Sequence, residues 1–586
     1  MTSSDSLRRR AGELAACIDR AERAEVWISR VGIDALAAAI EEIERRAAAG
    51  EDLPLAGLTF AVKDNIDVAG VPTTAGCPAF ATMPATTAPA VTTLLEAGAL
   101  FVGKTNLDQF ATGLVGTRSP YGPVRNAVSP EHISGGSSSG SAVAVALGLV
   151  DFALGTDTAG SGRVPAALNG IVGIKPTRGL VSTTGVVPAC RSFDCVTVVA
   201  ATVDLGERVL AVLAAPDPAD ARRRSVPPNA PLAPPARPVV ARAGPQALGD
   251  LDPARLRAYE DALQRLEDGG CRTAVVDIEP FLEAGRLLYE GGFLAERHAA
   301  VGTWVDDHLD QVDPVVGPII SAAGLIPADR LAADTDRLGL LAKEAEATLA
   351  AVGACSLVLP TAPLHPTIAE VAGDPVGVNS RMGRYTTFVN LLDWCAVAVP
   401  AGKVGELPFG ISLIGPAWSD LVQADLARIV EGTASLGQAA EAKTTTRHAT
   451  VCQRPPFPAV ALAVVGAHLT GQPLNHQLTD RGARLLRSTA TAAEYRLHAL
   501  NTEPPKPGLV RVAAGGAGAS IEVEVWELPP VGFADLVAAL PPPMAVGPVR
   551  LADGSQVTGF LCEPIALEGA PDVSSHGGWL AYLAAR

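Results

Sequence analysis

Hydrophobic and polar residues of the first 440 positions follow the periods of both helices and strands. Leu, Ile, Val and Ala recur at helical spacing among charged residues from about Ser6 to Ala49, and again from Pro253 to Glu267. Short apolar runs at Leu58–Val62 and Arg272–Ile278 instead predict strands. Helices and strands that follow one another in this way favour an α/β fold class, in which helices cover a mixed central sheet.

The pattern changes towards the end of the chain. Residues 441–458 are rich in threonine and proline, so we interpret them as a linker. Beyond them, apolar and acidic residues alternate in Ser520–Trp526, which predicts a half-buried strand. We therefore predict a large domain at residues 1–440 and a small β-rich domain at residues 459–586. The proline-rich residues 216–245 are interpreted as a surface excursion within the large domain.

The segment Ile133–Ala166 differs from its surroundings because two glycine- and serine-rich turns enclose an apolar run. That run, Ala142–Leu154, suits a buried helix followed by a strand. A flexible Gly/Ser linker would not enclose such a run. Glycines let the backbone approach a ligand closely, and turn amides can bind an oxyanion. We therefore predict that this segment forms the core of an active site.

Charge narrows the classes of partner. The chain has 586 residues, of which 48% are hydrophobic, and a formal net charge of −16. This acidic balance disfavours nucleic acid and anionic membranes as partners. A small anionic substrate remains compatible with it, provided that the pocket supplies a cation.

Cysteine usage and motif content bear on compartment and cofactors. Nine cysteines occur without a CxxC pair, which is typical of free thiols in a reducing cytoplasm. The amino terminus lacks the apolar core of a signal peptide, and no apolar run approaches the roughly 18 residues of a membrane span. The acidic cluster Asp306–Asp313 suits a solvated helix face, and neither a P-loop nor an HExxH motif occurs. We therefore predict a cytoplasmic protein with no membrane partner, no metal and no cofactor.

The sequence GGSSSGSAVAVALG, followed by LGTDTAGSGRVPA, resembles the signature of the amidase signature family of serine hydrolases. The resemblance implies the amidase signature fold and a catalytic set of Lys63, of Ser137 in a cis peptide, and of Ser161 as nucleophile. A serine hydroxyl needs a base within hydrogen-bond reach, and a buried, neutral lysine can supply it. We expect Lys63 to take a proton from Ser161 through Ser137.

The same resemblance places backbone amides around Thr158, Ala159 and Gly160 at the oxyanion. The chain departs from the family where Ala159 replaces a common glycine, and we expect its methyl group to narrow the pocket. Residues 136–140 also fit the GxSxG pattern of α/β-hydrolases. A serine-rich run matches that pattern by coincidence, and no convincing downstream acid and histidine accompany it.

Over nearly its full length the chain resembles the allophanate hydrolase family, including in TAGSGRVPAALNGIVGIKPT and GAHLTGQPLNHQLTDRGARLLR. That resemblance implies urea-1-carboxylate as the substrate, a small anion with a terminal amide. It implies carboxylate contacts from Tyr289 and Arg297, eight residues apart on a predicted helix at Ile278–Gly302, and a further contact at Gly122. A guanidinium grips a carboxylate with two parallel hydrogen bonds, which suits an anion in an acidic protein. The family also implies a homodimer.

The small domain resembles the β-barrel of γ-glutamyl cyclotransferase-like proteins. Candidates there for handling the released N-carboxycarbamate are His468, Asn475, His476 and Glu563. A role in assembly or stability is the alternative, because a single histidine more often packs in a fold than catalyses.

Three other functions stay open from the sequence. The chain could be a broad-specificity amidase, or the glutaminase-type subunit of a tRNA-dependent amidotransferase, although the latter would not carry this second domain. It could also be a non-catalytic scaffold of a urea-degrading assembly. A urea carboxylase, or the enzymes of a cyanurate or biuret pathway, could supply the substrate.

Overall fold

The computed structural model describes residues 3–432, 454–513 and 516–586. The chain divides into two compact units. Of the described residues, the first unit holds 3–225, 239–432 and 454–456, and the second holds 226–238 with the residues from 457 onwards. Residues 226–238 thus belong to the second unit rather than to a surface excursion of the large domain. Most of the predicted linker at 441–458 lies outside the described residues.

Eleven described strands of the first unit form one mixed sheet. They are β1 (Trp27–Arg30), β2 (Thr59–Lys63), β3 (Leu100–Thr105), β4 (Phe152–Asp157), β5 (Val172–Lys175), β6 (Cys195–Ala200), β7 (Val239–Ala243), β8 (Arg272–Val276), β9 (Ala354–Pro360), β10 (Cys395–Val404) and β11 (Leu407–Gly415). Their order is β1-β3-β2-β4-β6-β5-β10-β11-β9-β7-β8. Strand β2 runs parallel to β3 and β4, and β7 runs parallel to β8 and β9, whereas the other pairs are antiparallel.

Helices pack against this sheet. They are α1 (Ser3–Arg20), α2 (Ile33–Ala48), α3 (Pro89–Glu96), α4 (Ser139–Ala146), α5 (Arg163–Leu168), α6 (Val203–Leu213), α7 (Pro253–Asp268), α8 (Glu279–Glu290), α9 (Ala295–Arg297), α10 (Thr303–Asp307), α11 (Val316–Ala323), α12 (Ala328–Val352), α13 (Ile368–Gly373), α14 (Gly377–Met382), α15 (Thr387–Leu391) and α16 (Asp420–Glu431). Helices α4, α6, α7 and α16 lie against strands of the sheet. The predicted α/β fold, a mixed sheet covered by helices, is therefore confirmed. Within the described residues, a bilayer-spanning helix, both long and apolar, does not occur.

The centre of the sheet positions the predicted active-site segment. All six residues of β4 are buried, and so is nearly every residue of α4, whose small side chains allow a close approach to the sheet. Strands β2 and β4 are parallel neighbours, so their carboxyl ends meet at one edge. Lys63 ends β2 and Asp157 ends β4, which brings both residues to that edge. Ligands of α/β sheets commonly bind at the carboxyl ends of strands.

Two predicted helices are interrupted. The segment from Ser6 to Ala49 contains β1 between α1 and α2. The predicted helix Ile278–Gly302 ends at Gly291 and continues as a 3₁₀ turn, as α9 and then as a π-helical turn at His298–Gly302. Apolar spacing alone did not reveal either break.

The second unit is rich in strands, as predicted. Its elements are β12 (Val460–Val464), α17 (His476–Thr479), β13 (Arg484–Ala490), β14 (Tyr495–Leu500), β15 (Lys506–Arg511), β16 (Glu522–Leu528), α18 (Pro530–Ala538), β17 (Met544–Arg550), β18 (Gln556–Cys562) and α19 (Trp579–Ala584). Five strands form a sheet in the order β13-β16-β12-β18-β17, and β14 pairs with β15. A bridge between Thr491 and Leu551 joins the ends of the two edge strands, so the two edges of the sheet meet at one end.

Candidate active site

Lys63 lies at the centre of the site and has no exposed surface. Its Nζ is 2.7 Å from Ser137 Oγ and 2.7 Å from Thr156 Oγ1. Burial lowers the pKa of Lys63 to about 7, although the nearby carboxylates of Asp108, Asp157 and Asp194 act in the opposite direction. A lysine with this pKa is available as a neutral base near pH 7.

Ser137 follows a cis peptide bond with Gly136. A side chain at Gly136 would collide with the carboxylate of Asp108, so a glycine is needed there. The backbone amide of Asp108 donates to the Ser137 carbonyl oxygen at 3.3 Å. The Asp108 carboxylate in turn accepts the amides of Gly116 and Arg118, each at 3.0 Å, and that of Val115 at 3.2 Å. Asp108 therefore holds the loop against the turn that carries Ser137.

Ser161 lies in the loop between β4 and α5 and is buried. The amide of Ser138 donates to its carbonyl oxygen at 3.1 Å, which ties the loop to the serine-rich turn. Asp157 shapes the same loop, because its carboxylate accepts the amides of Gly160 at 2.8 Å and of Gly162 at 3.1 Å. Ser161 is thus held between a neighbouring turn and a buried carboxylate.

The loop geometry bears on the oxyanion prediction, which stays a prediction. The Gly160 amide donates to Asp157 Oδ1 at 2.8 Å, so it already has an acceptor. Gly160 has a φ of 125°, and a side chain there would collide with Thr386. The Ala159 carbonyl accepts the Thr386 hydroxyl at 2.7 Å. The amides of Thr158 and Ala159 remain the candidates among the three that we predicted.

Tyr289 and Arg297 are in contact, even though the helix between them is broken. Arg297 Nη2 donates to the Tyr289 hydroxyl at 3.1 Å, and the guanidinium carbon lies 5.2 Å from the centre of the tyrosine ring. Arg297 Nη1 donates to Thr112 Oγ1 at 2.8 Å. The positive charge of Arg297 also lowers the pKa of Lys63, although less than burial does, so the two groups interact electrostatically.

Arg297 is 2% exposed. Within the described residues its guanidinium forms no ion pair shorter than 4.0 Å and its Nε has no hydrogen-bond partner. Its charge also acts on the buried carboxyl group of Asp194, whose pKa is raised by burial and lowered, to a smaller extent, by Arg297. Buried charges in proteins are normally paired. A buried guanidinium without a carboxylate in salt-bridge contact has the chemistry to bind an anionic ligand.

Gly122 lies in the loop after Ser119 with a φ of 96°. Its amide donates to the Ser119 carbonyl oxygen at 3.1 Å, and its carbonyl oxygen accepts from Asn106 Nδ2 at 3.1 Å. These contacts tie Gly122 to the loop, and its contact with a substrate stays a prediction.

Of the four candidates in the second unit, His468 lines a cavity of about 270 Å³. Arg481, Lys506 and Phe560 are among the other lining residues. His468 Nε2 lies 3.0 Å from Gln477 Oε1, and its ring stacks on Phe560. Burial lowers the pKa of His468, so the ring is neutral at pH 7.

The other three candidates do not line that cavity. Asn475 supports it, because Asn475 Nδ2 donates to the His468 carbonyl oxygen at 2.9 Å. His476 and Glu563 are exposed. The structure therefore places only His468 of the four candidates at this cavity, and the roles of the four stay predictions.

Several residues of the site were not among the predicted set. Thr156 and Asp157 close the strand β4, and the polar end of an otherwise apolar run was the signal that could have found them. Asp108 and Thr112 lie in the loop after β3, where no local pattern distinguishes them. Their roles follow only from contacts with residues far away in sequence.

Comparison with known proteins assigns both parts of the chain. Residues 13–422 match the family model described as Amidase. Residues 460–584 match the model described as Allophanate hydrolase C-terminal domain.

Two curated relatives are urea amidolyases. That of Lachancea kluyveri is 42% identical over 575 residues, which cover 95% of this chain and 31% of the relative. That of Saccharomyces cerevisiae is 41% identical over 573 residues, with the same two coverages of 95% and 31%. The chain thus spans about a third of the length of these relatives.

Two solved structures from Kluyveromyces lactis are similar over the whole chain. Its allophanate hydrolase superposes with a TM-score of 0.87 at 38% identity, over 100% of this chain and 97% of that one. Its urea amidolyase gives a TM-score of 0.87 at 38% identity, over 100% of this chain and 36% of that one.

Proposed function

Since the chain is an amidohydrolase that belongs to the amidase family, and since it carries an allophanate hydrolase C-terminal domain, we propose that its substrate is allophanate (urea-1-carboxylate). The similarity to the Kluyveromyces lactis allophanate hydrolase over the whole chain supports this proposal. The single observation that carries it is the buried guanidinium of Arg297, which has no carboxylate in salt-bridge contact among the described residues. A small amide that carries a carboxylate would supply a negative charge to pair with Arg297, and the Tyr289 hydroxyl lies beside this guanidinium.

The proposed reaction begins with the neutral amine of Lys63. It takes the proton of Ser137, which takes the proton of Ser161, so that Ser161 Oγ attacks the terminal amide carbonyl. The amides of Thr158 and Ala159 donate to the oxyanion. The C–N bond then breaks, the proton returns along the relay to the leaving nitrogen, and ammonia departs. Water attacks the acyl-enzyme by the reverse relay and releases N-carboxycarbamate.

We further propose that the cavity beside His468 receives N-carboxycarbamate. The cations Arg481 and Lys506 in its lining suit a product with two carboxylates. Loss of carbon dioxide leaves carbamate, which decomposes to a second ammonia and a second carbon dioxide. If the cavity takes part, the Lys506→Met variant should release the second ammonia more slowly than the wild type and the first at the wild-type rate. If the variant releases both at wild-type rates, the second unit has a role in assembly or stability.

The substrate assignment is tested by steady-state ammonia release from allophanate, biuret, malonamate and glutamine. We expect allophanate and malonamate, which carry a carboxylate, to be preferred over neutral biuret, with little turnover of glutamine. The Arg297→Met variant should raise KM for allophanate by about a hundredfold or more, because a charge-assisted pair is lost. Arg286→Met is the matched control, since Arg286 lies on α8 and pairs with exposed Glu279.

The rival functions predict different outcomes. A broad-specificity amidase would turn over neutral amides equally well, and its KM would not respond to Arg297→Met. An amidotransferase subunit would prefer glutamine. A scaffold without activity would fail to label at Ser161 with a serine-reactive phosphonofluoridate.

We also propose that the protein acts in urea degradation in the cytoplasm, as a homodimer, and that a urea carboxylase supplies allophanate. The urea amidolyase relatives, which are about three times as long as this chain, support a connection with urea breakdown. A supply from cyanurate or biuret pathway enzymes is the alternative. Light scattering of the purified chain tests the dimer, and co-purification with a biotin-containing carboxylase tests the partner.

A further inference from the structure

The loop Asp108–Arg118 connects the two halves of the site. At one end, Asp108 supports the turn that carries Ser137 through the bonds described above. Four residues later, Thr112 Oγ1 accepts a hydrogen bond from Arg297 Nη1 at 2.8 Å. One short, buried loop therefore contacts both the serine relay and the anion-binding arginine.

The hydroxyl of Thr112 is oriented for this contact. It donates to the Phe110 carbonyl oxygen at 3.2 Å, so its free lone pairs face the guanidinium. Phe110 and Ala111, which precede it, have φ values of 50° and 53°. Non-glycine residues rarely adopt this region, and they are concentrated at functional sites where the surroundings hold them.

The backbone of Thr112 is held as firmly as its side chain. Arg118 Nη1 donates to the Thr112 carbonyl oxygen at 2.9 Å, and the Thr112 amide donates to Gln109 at 3.0 Å. Thr112 is 1% exposed. Water cannot replace its hydroxyl, so its loss leaves one N–H of a buried guanidinium without an acceptor.

We propose that Thr112 is a positioning residue that sets the rotation of the Arg297 guanidinium for the substrate carboxylate. Arg297 Nη2 donates to the Tyr289 hydroxyl and Nη1 donates to the Thr112 hydroxyl. The two hydroxyls together fix the plane of the guanidinium group. Thr112 therefore acts on the affinity for anionic substrates through Arg297, and not on the proton relay. This role rests on the proposed function of Arg297.

The test compares Thr112→Val, which keeps the shape and removes the hydroxyl, with Thr112→Ser, which keeps the hydroxyl. We expect Thr112→Val to raise KM for allophanate about tenfold, the effect of one lost hydrogen bond to a charged group, and Thr112→Ser to restore most of it. Inactivation by a small neutral phosphonofluoridate should keep its wild-type rate, because the relay is intact. Thr361→Val is the matched control, since that buried hydroxyl bonds to Ser412.

A double-mutant cycle separates positioning from a general structural effect. In the Arg297→Met background, Thr112→Val should add little, because the group on which it acts is gone. The proposal is overturned if Thr112→Val leaves KM unchanged, if serine does not rescue it, if labelling slows in parallel, or if the effect persists without Arg297. Failure of the proposed function has a different signature: Arg297→Met alone would then leave KM for allophanate unchanged.

Discussion

Asp157 and Arg163 form a buried, bidentate ion pair in the segment that contains Ser161. Arg163 Nε lies 3.0 Å from one carboxylate oxygen and Nη2 lies 2.9 Å from the other, and neither side chain is exposed. The same carboxylate holds the amide of Gly160. The ion pair therefore fixes the loop that presents Ser161.

Replacement of Asp157 by asparagine tests this relationship. The variant removes the charge that compensates Arg163, and loss of one partner of a buried pair costs about 3–5 kcal/mol of unfolding free energy. Because asparagine has one acceptor oxygen where aspartate has two, some of the loop amides lose their anchor, and kcat should also fall by about 10²–10³, as when an oxyanion donor is lost. Urea unfolding and steady-state kinetics measure the two effects.

Asp151→Asn is the control, since Asp151 is exposed at the opposite end of β4. If Asp157→Asn lost stability but kept wild-type kcat, the carboxylate would hold the fold and not the catalytic geometry.

Acid should inactivate the enzyme through Lys63. Burial holds the pKa of this amine at about 7, and only the neutral form can accept a proton. We expect kcat/KM for malonamate to rise tenfold per pH unit below about 7 and to level off above it. Malonamate keeps its charge over pH 5.5–9, so the profile reports the enzyme. A profile that is flat across this range would exclude Lys63 as the base.

The active-site segment could be predicted from the sequence because its signal is local. The turns around Ala142–Leu154 and the apolar run between them lie within a few tens of residues, and Lys63 follows directly after a short apolar strand. Asp157 was equally visible, as a charged residue at the end of a buried run. The contact between Thr112 and Arg297 was not visible, since it joins positions 185 residues apart.

The errors of the fold prediction also have physical reasons. Strand β1 has four residues, too few for alternation to be read between two helical patterns. The break at Gly291 interrupts a segment whose apolar spacing continues on both sides of it, so the glycine pair at 291–292 was the available signal. Residues 226–238 pair with the second unit, and proline content alone does not reveal with which unit a segment packs.

The stability of the protein should depend on pH through the same lysine. Its pKa is about 7 in the folded protein and about 10.5 ordinarily. Between these values the unfolded chain binds a proton that the folded protein does not, so stability rises with pH by up to ~1.4 kcal/mol per unit from this group. Lys63→Met removes this contribution, and we expect its unfolding free energy to change less between pH 7.5 and 9.5 than that of the wild type.

Urea unfolding at several pH values measures how the unfolding free energy of each protein changes with pH. Other titrating groups are common to the two proteins and cancel in the difference. If the unfolding free energies of the wild type and of Lys63→Met changed equally with pH, Lys63 would keep its proton in the folded protein.

The hydroxyl of Thr156 should raise the pKa of the Lys63 amine. Its hydroxyl lies 2.7 Å from Lys63 Nζ and accepts from Asn65 Nδ2 at 3.2 Å, so it is oriented within a buried network. An acceptor at this position stabilises the protonated amine, because hydrogen bonds to a charged form favour that form. Thr156→Val removes the acceptor and preserves the volume. We expect the rising limb of the pH profile of kcat/KM to move to lower pH by about one unit, the size of one hydrogen bond to a charged group.

Thr156→Ser keeps the hydroxyl and should keep the wild-type profile, which separates loss of the acceptor from repacking at the end of β4. A shift of the Thr156→Val profile to higher pH would mean that the hydroxyl donates to a neutral amine in the resting enzyme. In that case Thr156 would compete with Ser137 for the lone pair of Lys63, and its removal would also speed labelling of Ser161 by the neutral phosphonofluoridate.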